Sequence, residues 1–251
     1  MGLSKKDLYY KGKAKIDNRM INLFGDFGWN QFTGAIWEDV FSRYGMQKKS
    51  LIVEVAPGKI NKIGWGLSRY RFNGKIYIVE PDIKSLKSIT NQYKRILKAE
   101  IKGVELTLDK CTIALPKKVN AIIANHPLDD MISGKLFTKK GFDKFFGATY
   151  KNASFKRETW KKLDKDKKRV EKAKQEVIDE WCKLIDSTNP DLVVIAQYES
   201  WFFKLNHIPQ PDKHAFDVLQ AIKKKYKKYS LNMKNKYYIE DSRRWLILKF
   251  R

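Results

Sequence analysis

The chain has 251 residues, with 52 Lys and Arg against 28 Asp and Glu, so its formal net charge is +24 at pH 7. Hydrophobic residues make up 43% of the chain and aromatic residues 13%, which excludes a wholly disordered protein. No stretch approaches the roughly 18 apolar residues that a membrane helix needs, and the first residues lack the apolar segment of a secretory signal. We therefore expect a cytoplasmic protein with a single domain over residues 1–251 that does not contact membranes.

The excess of positive charge indicates a polyanionic partner, and nucleic acid is the prediction that follows. The alternative is that the excess of lysine comes from genome composition, because an A/T-rich genome encodes lysine at many exposed positions. Cys111 and Cys182 lie far apart inside apolar segments, as reduced core thiols do. His207 and His214 have no cysteine or second histidine at ligand spacing, so we predict no metal site.

Short apolar segments alternate with helical patterns from residue 51 onward. The residues Leu-Ile-Val-Glu-Val at 51–55 precede Ala56-Pro57-Gly58, the pattern of a buried parallel strand that leads into a tight turn. Apolar residues at helical spacing follow through Ile63 to Tyr70 and Ile83 to Leu97. Further buried strands, covered on both faces, are predicted at residues 75–80, 103–108, 119–124 and 191–196.

The end of the chain has a different pattern. Residues 229–233 and 245–250 are strand-like with no helix between them, so we expect them to pair antiparallel at one edge of the sheet. The fold class that results is α/β with a mixed sheet and helices on both faces.

Two segments lie outside this alternation. N-terminal helices are expected at about residues 1–48, with the aromatic residues of 20–44 laid over the carboxyl edge of the sheet. Residues 131–176 hold 15 Lys and Arg against 6 Asp and Glu and form a basic helical insertion. Its cations and aromatic rings suit the binding of single-stranded nucleic acid. The alternative is that the rings anchor the insertion to the core and that Lys161 to Lys174 form the solvent-exposed face of a helix.

The residues at the predicted strand ends carry the chemistry, because ligands of open α/β sheets bind outside the carboxyl ends of the strands. Glu54 lies before the small residues at 56–58 and can face a cationic amine. Glu80 follows 26 positions later, near the offset of about 20 residues at which an acid accepts ribose hydroxyls. Asp109 ends the third predicted strand and is placed to accept a hydrogen bond from an adenine amine.

These motifs, in this order, resemble motifs I to IV of the class I (Rossmann-like) methyltransferases that use S-adenosylmethionine (SAM). The resemblance implies a seven-stranded sheet whose last strand is antiparallel. It also implies that Glu54, Ala56, Pro57 and Gly58 hold the methionine part of SAM. The ribose and adenine would be bound by Glu80, Asp109, Pro81 and the backbone at Lys110. The sequence departs from motif I at Ala56 and Ile60, and it lacks the glycine pattern of NAD-binding enzymes.

Residues 125–128, Asn-His-Pro-Leu, partly resemble the Asn-Pro-Pro-Tyr motif of amino-methylating enzymes, so Asn125 is also a residue next to SAM. His126 is either structural or a general base. Asp129 is either a catalytic carboxylate or a helix cap. The final aromatic is missing, and four rings from other segments are candidates to replace it against the substrate: Phe27, Trp29, Tyr198 and Trp201.

The sequence thus predicts a SAM-dependent methyltransferase that acts on RNA rather than DNA, with Lys139, Lys140 and Lys144 of the insertion contacting the substrate. Two alternatives stay open. One is a protein or small-molecule methyltransferase, and the other is a catalytically inactive SAM-fold subunit that binds nucleic acid.

Overall fold

The computed structural model describes residues 18–138, 140–142, 145, 153–200, 203–204, 206–234 and 242–251, with side chains described from residue 30 onward and not at residue 153. Seven strands form one sheet in the order β3-β2-β1-β4-β5-β7-β6. Strands β1 to β5 are parallel neighbours, and β7 runs antiparallel to both β5 and β6. The strands are β1 (Leu51–Val55), β2 (Lys75–Val79), β3 (Glu100–Val104), β4 (Ala121–Asn125), β5 (Leu192–Ala196), β6 (Ser230–Leu231) and β7 (Trp245–Lys249).

This strand order confirms the mixed Rossmann-like sheet and the antiparallel pairing at its edge. The helices between the strands are α1 (Asn18–Arg43), α2 (Ile63–Arg69), α3 (Ile83–Ile96), α4 (Leu108–Cys111), α5 (Leu128–Leu136), α6 (Ala153–Leu163), α7 (Lys167–Thr188) and α8 (Gln210–Lys225). Among the described helices, none is long and apolar enough to cross a membrane.

Alternation along the central strands divides the core into two layers. In β1, Val53 and Val55 belong to one buried cluster and Ile52 belongs to the other, because successive side chains of a strand point to opposite faces. Helices α4 to α8 cover the first face, and α1, α2 and α3 cover the second. Both faces are therefore buried, as the continuous apolar strands predicted.

The third strand differs from its prediction. It covers residues 100–104 instead of 103–108, and Leu106 N–H already bonds back to Val104 O at 3.0 Å. This strand lies at the sheet edge, where one side is open and polar residues such as Lys102 are tolerated, so its apolar pattern is weak. Asp109 consequently lies in the first turn of α4, not at a strand end.

The leading segment forms one helix, α1. Its Gly34 and the Gly66 of α2 allow close packing, since a Cβ on Gly66 would lie 2.5 Å from Cβ of Trp37. Trp37 donates a hydrogen bond to Asn125 at the carboxyl end of β4. Gly45, just past the end of α1, lies near the opposite edge of the sheet, since a Cβ there would be 3.8 Å from Lys249 Nζ. The second half of α1 therefore packs on a face of the sheet, which corrects the expected placement over the carboxyl edge.

The insertion is anchored by buried aromatics. Phe145 and Trp160 are 1% and 0% exposed, and Phe145 stacks on Phe137 at 5.1 Å. Residues 170, 173 and 177 of α7 are buried on one side of the helix, as the alternative interpretation of this segment predicted. Exposed lysines lie at the end of α6, in the next turn and at the start of α7: Lys161, Lys162, Lys165, Lys167 and Lys168. Lys174 is buried and paired with Glu171 and Asp217, so residues 161–174 do not form one exposed helix face as that alternative expected.

Candidate functional site

The loop after β1 and the tip of β2 are joined by a carboxylate. Ala56 and Gly58 have φ of 49° and 64°, so the loop turns sharply through left-handed backbone conformations. Glu80 Oε2 accepts the N–H of Gly58 at 3.0 Å, and its Oε1 accepts the N–H of Asp82 at 3.1 Å. Burial raises the pKa of Glu80 although both N–H bonds oppose this change. The loop predicted to be motif I and Glu80, the acid predicted to bind the ribose, are thus in direct contact.

Glu54 is buried beside this loop with half of its carboxyl group unsatisfied. Its Oε1 accepts the hydroxyl of Tyr93 at 2.9 Å, while Oε2 is buried and has no hydrogen-bond partner. Burial raises the pKa of Glu54 to about 8, and the hydrogen bond from Tyr93 only partly offsets this. A Cβ added to Gly58 would meet nothing within 4 Å, so the loop borders open space. A cationic amine would satisfy the unpaired oxygen of Glu54.

Asp109, in the first turn of α4, has a separate set of contacts. The hydrogen bond from Thr107 lowers the pKa of Asp109, and the charge of Lys135 acts in the same direction. Its backbone oxygen accepts from Lys183 of α7 at 3.1 Å. Pro81 and Lys110 are both exposed to solvent.

Asn125, the last residue of β4, is held at both ends of its amide. Trp37 Nε1 donates to Asn125 Oδ1 at 3.0 Å, and Asn125 Nδ2 donates to the Tyr198 hydroxyl at 3.2 Å. An indole N–H can only donate, so the oxygen of the amide must face Trp37. The amide nitrogen of Asn125 therefore points to Tyr198.

His126 follows with φ of 60°, and its backbone N–H bonds to Ala196 O. Its Nδ1 lies 3.0 Å from Asp129 Oδ1, and its Nε2 is buried without a partner. Burial lowers the pKa of His126, but the charge of Asp129, the hydrogen bond to it and the charge of Tyr198 together raise the pKa to about 10. Burial also disfavours the charged form of Asp129, but His126 and a hydrogen bond from Gln197 at 2.9 Å keep the pKa of this carboxyl low.

The helix-capping role considered for Asp129 is not observed. Pro127 occupies the N-cap of α5, and Asp129 lies in the first turn with its carboxylate directed to His126. Gln197 is fully buried after β5, and its Oε1 accepts the N–H of Leu128 at 3.0 Å. One glutamine thus holds both the start of α5 and the carboxylate that contacts His126.

Tyr198 lies between the tip of β4 and the start of α2. Lys62 Nζ is 2.5 Å from its hydroxyl oxygen, and the rings of Tyr198 and His126 are 4.5 Å apart. Burial raises the pKa of Tyr198, but the positive charges of Lys62 and His126 outweigh it and lower the pKa.

Two further charged groups lie near the crevice, which is the space at the carboxyl edge of the sheet bordered by Glu80, His126 and Lys62. Asp130 is an exposed residue, but desolvation of its carboxylate by the surrounding protein and the charge of Asp129 raise its pKa. Lys156 of α6 is 8% exposed; burial lowers its pKa, and the charge of Asp130 opposes this. The insertion therefore contributes a buried cation to the crevice.

The structure brings together two groups of predicted residues: Glu54, Ala56, Pro57, Gly58 and Glu80 around the β1 loop, and Asn125, His126, Asp129 and Tyr198 at the tips of β4 and β5. Lys140 is exposed on the insertion. The side chains of Phe27, Trp29, Lys139, Lys144 and Trp201 lie outside the described residues.

Sequence reasoning missed Lys62, Trp37 and Gln197. Gln197 directly follows the fifth predicted strand, and this position at a strand end is the signal that points to it. Lys62 and Trp37 come from segments whose contacts with β4 depend on tertiary packing. Among the described residues, no group of three His, Cys, Asp or Glu could hold a metal ion.

Neither a family model nor a curated protein sequence matches the chain. Its fold is similar to solved structures of SAM-dependent methyltransferases. One is from Aquifex aeolicus, with 11% identity, 95% of each chain covered and a TM-score of 0.45. Another is SibL in its apo form, with 8% identity, 98% of this chain and 62% of that chain covered and a TM-score of 0.49. A third is the ribosomal protein L11 methylase of Lactobacillus delbrueckii subsp. bulgaricus, with 10% identity, 84% of this chain and 74% of that chain covered and a TM-score of 0.40.

Proposed function

We propose that this protein is a SAM-dependent methyltransferase that acts on RNA. The observation that carries the proposal is the arrangement at the β1 loop, where Glu80 fastens Gly58 and Glu54 keeps a buried oxygen without a partner. SAM supplies an electrophilic methyl group on a cationic sulfur.

The chain's own residues fit the polar parts of this cofactor. The unpaired Oε2 of Glu54 suits the ammonium of the methionine part, which would also favour the charged carboxylate. Each oxygen of Glu80 accepts one backbone N–H and retains acceptor capacity for a ribose hydroxyl. Asp109, Pro81 and the backbone at Lys110 remain the proposed adenine contacts.

Basic residues at the crevice edge support RNA as the substrate. The end of α7 lies at the amino edge of the sheet, where Thr188 O accepts the N–H of Val119. With 22 residues, α7 is about 33 Å long, whereas a five-residue strand spans only about 17 Å. The first turn of α7 therefore extends past the carboxyl edge and brings exposed Lys168 to the side of the crevice. Exposed Lys165 of the preceding turn and Lys162 at the end of α6 lie next to it in the chain, and such cations can bind phosphates.

Calorimetry with SAM, followed by incubation of the protein with radiolabelled SAM and separate RNA, DNA, protein and small-molecule fractions, tests the proposal. We expect SAM binding and label in the RNA fraction. Label in the protein or small-molecule fraction instead would mean that the substrate is not RNA. SAM binding without transfer to any fraction would indicate the inactive subunit, and no SAM binding would overturn the proposal as a whole.

A further inference from the structure

The hydroxyl oxygen of Tyr198 receives two hydrogen bonds from groups that can only donate there. Lys62 Nζ lies 2.5 Å from it and Asn125 Nδ2 lies 3.2 Å from it. An ammonium and an amide nitrogen offer no acceptor, so Tyr198 accepts in both contacts. Two donors on one oxygen, one of them a cation, stabilise the phenolate form relative to the phenol.

The charges around Tyr198 come from several elements. Lys62 precedes α2, His126 follows β4, and the carboxylates of Asp129, Asp130 and Asp212 face the same crevice from α5 and α8. Asp129 is paired with His126 at 3.0 Å, and its negative charge is thereby balanced. The ammonium of Lys62 is in direct contact with the Tyr198 oxygen.

The same contacts turn Asn125 away from amine recognition. An asparagine that orients an amine must present its carbonyl oxygen as the acceptor. Here Trp37 Nε1 holds that oxygen at 3.0 Å, and the amide nitrogen faces Tyr198. The polar group that lies next to Asn125 at this strand tip is a tyrosine oxygen, which can take a proton.

We infer that Tyr198 is the general base of this site and that the methyl acceptor is a hydroxyl group, which in RNA is the ribose 2′-hydroxyl. The inference rests on the proposed function and names the atom that is methylated. A hydroxyl needs a base because its neutral oxygen is a weak nucleophile. Lys62 is a positioning residue, since it acts through Tyr198.

The step balances in atoms and charge. The substrate oxygen forms a bond to the methyl carbon while the carbon–sulfur bond breaks and its electron pair returns to sulfur. The hydroxyl proton moves to the phenolate oxygen of Tyr198, which becomes a neutral phenol and later releases the proton to solvent. Lys62 and Asn125 hold the oxygen of Tyr198 in place before and after the transfer.

The first test needs no cofactor and no substrate. Tyrosines labelled with carbon-13 at Cζ are titrated by NMR, and the Tyr198 signal is identified as the one missing in Tyr198→Phe. We expect this signal to titrate below the exposed tyrosines, and Lys62→Met to move its midpoint upward by about 1 to 3 pH units. Lys62→Arg should largely restore the midpoint, and Lys87→Met, which removes an exposed lysine of α3, should leave it unchanged. A Tyr198 midpoint among the exposed tyrosines, unmoved by Lys62→Met, would overturn the inference.

The second test concerns the acceptor atom. We expect an RNA oligonucleotide to be methylated on a ribose oxygen, and DNA of the same sequence to receive no methyl group. Tyr198→Phe should lower kcat by about 100-fold or more with little change in the Kd for SAM. In Lys62→Met, the rise of the rate with pH should occur at higher pH. Methylation of a base nitrogen with normal turnover in Tyr198→Phe would overturn the hydroxyl inference and leave the methyltransferase proposal intact, whereas the absence of SAM binding would contradict the proposed function itself.

Discussion

Glu80 Oε2 accepts the backbone N–H of Gly58 at 3.0 Å, so the acid after β2 fixes the loop after β1. The two residues are 22 positions apart in the chain and meet because β1 and β2 are parallel neighbours in register, with Val55 beside Val79. One carboxylate therefore has two tasks in the proposed site: it shapes the loop for the methionine part of SAM and offers acceptors to the ribose.

Replacing Glu80 by Gln should weaken SAM binding by about 10- to 100-fold, because a hydrogen bond to a charged group contributes about 1.5–3 kcal/mol. The amide nitrogen of glutamine would also meet a backbone N–H where the carboxylate accepts one. Calorimetry measures the Kd. Asp186→Asn near the end of α7 is the matched control, because it changes an exposed acid to its amide at the opposite edge of the sheet. An unchanged Kd in folded Glu80→Gln would mean that Glu80 does not bind the ribose.

Gly58→Ala should lower both stability and SAM affinity. Its φ is 64°, and a side chain in the left-handed region costs about 1–2 kcal/mol. The added methyl group also enters the open space beside the loop. Gly45→Ala is the matched control, since Gly45 has φ of 76° and lies after α1. Urea unfolding should show similar losses of stability in both variants, but calorimetry should show weaker SAM binding only in Gly58→Ala. Equal SAM affinities would place the cofactor away from Gly58.

The strands of the central sheet can be predicted from the sequence because buried parallel strands have continuous apolar patterns. Residues 51–55 and 192–196 fall within one residue of their predicted bounds. The edge strand at 100–104 was misplaced, since a single neighbouring strand leaves polar residues such as Glu100 and Lys102 exposed. The edge strand β6 is shorter than predicted, with only residues 230–231 paired.

The candidate site was predictable where chemistry lies at a strand end. The sequence predicts that Glu54, Glu80 and Asn125 lie close together because parallel strands bring their carboxyl ends to one edge, and the structure places them there. The partners that decide their orientation were not found, because Trp37 and Lys62 reach Asn125 and Tyr198 from 88 and 136 positions away. No local pattern encodes contacts of that kind; they depend on how α1 and α2 pack on the sheet.

The pair of His126 and Asp129 predicts a pH dependence of stability. The ordinary pKa of His126 is 6.5; burial lowers it, but Asp129 raises it to about 10 in the folded protein. A group whose pKa is raised on folding stabilises the protein fully below its unfolded pKa, and this stabilisation is lost as pH rises to the folded pKa. The difference in unfolding free energy between wild type and His126→Asn should therefore shrink from about pH 6.5 to about pH 10.

Urea unfolding at several pH values between these limits measures that difference. Asn is chosen because His126 has φ of 60°, which asparagine tolerates better than most residues. His207→Asn is the control, since His207 has φ of 53° and is exposed; it makes the same replacement in the same backbone region away from Asp129. A constant difference for His126→Asn would mean that the imidazole is not charged in the folded protein.

If the protein acts on RNA, the effect of reversing a lysine on RNA binding should depend on where that lysine lies. Reversing Lys162, Lys165 and Lys168 to Glu should weaken RNA binding and leave the Kd for SAM unchanged. Each phosphate contact on a single strand contributes about −0.7 to the logarithmic salt dependence, so losing three contacts changes the slope by roughly 2. Fluorescence anisotropy with a labelled RNA at several salt concentrations measures both quantities. The same reversal of Lys139, Lys140 and Lys144 tests the first part of the insertion.

The control reverses Lys223, Lys224 and Lys225, which removes the same charge at the other end of the molecule. Helix α8 begins near the carboxyl edge, where Asp212 accepts the N–H of Ser200, and the Tyr226 that follows it bonds to Asp186 near the end of α7. Lys223 to Lys225 therefore lie far from the crevice. A protein of net charge +24 attracts RNA from every side, so some loss is expected in the control as well. Equal losses and equal changes of slope in both variants would show that the attraction is diffuse, and the insertion would then have no dedicated role in RNA binding.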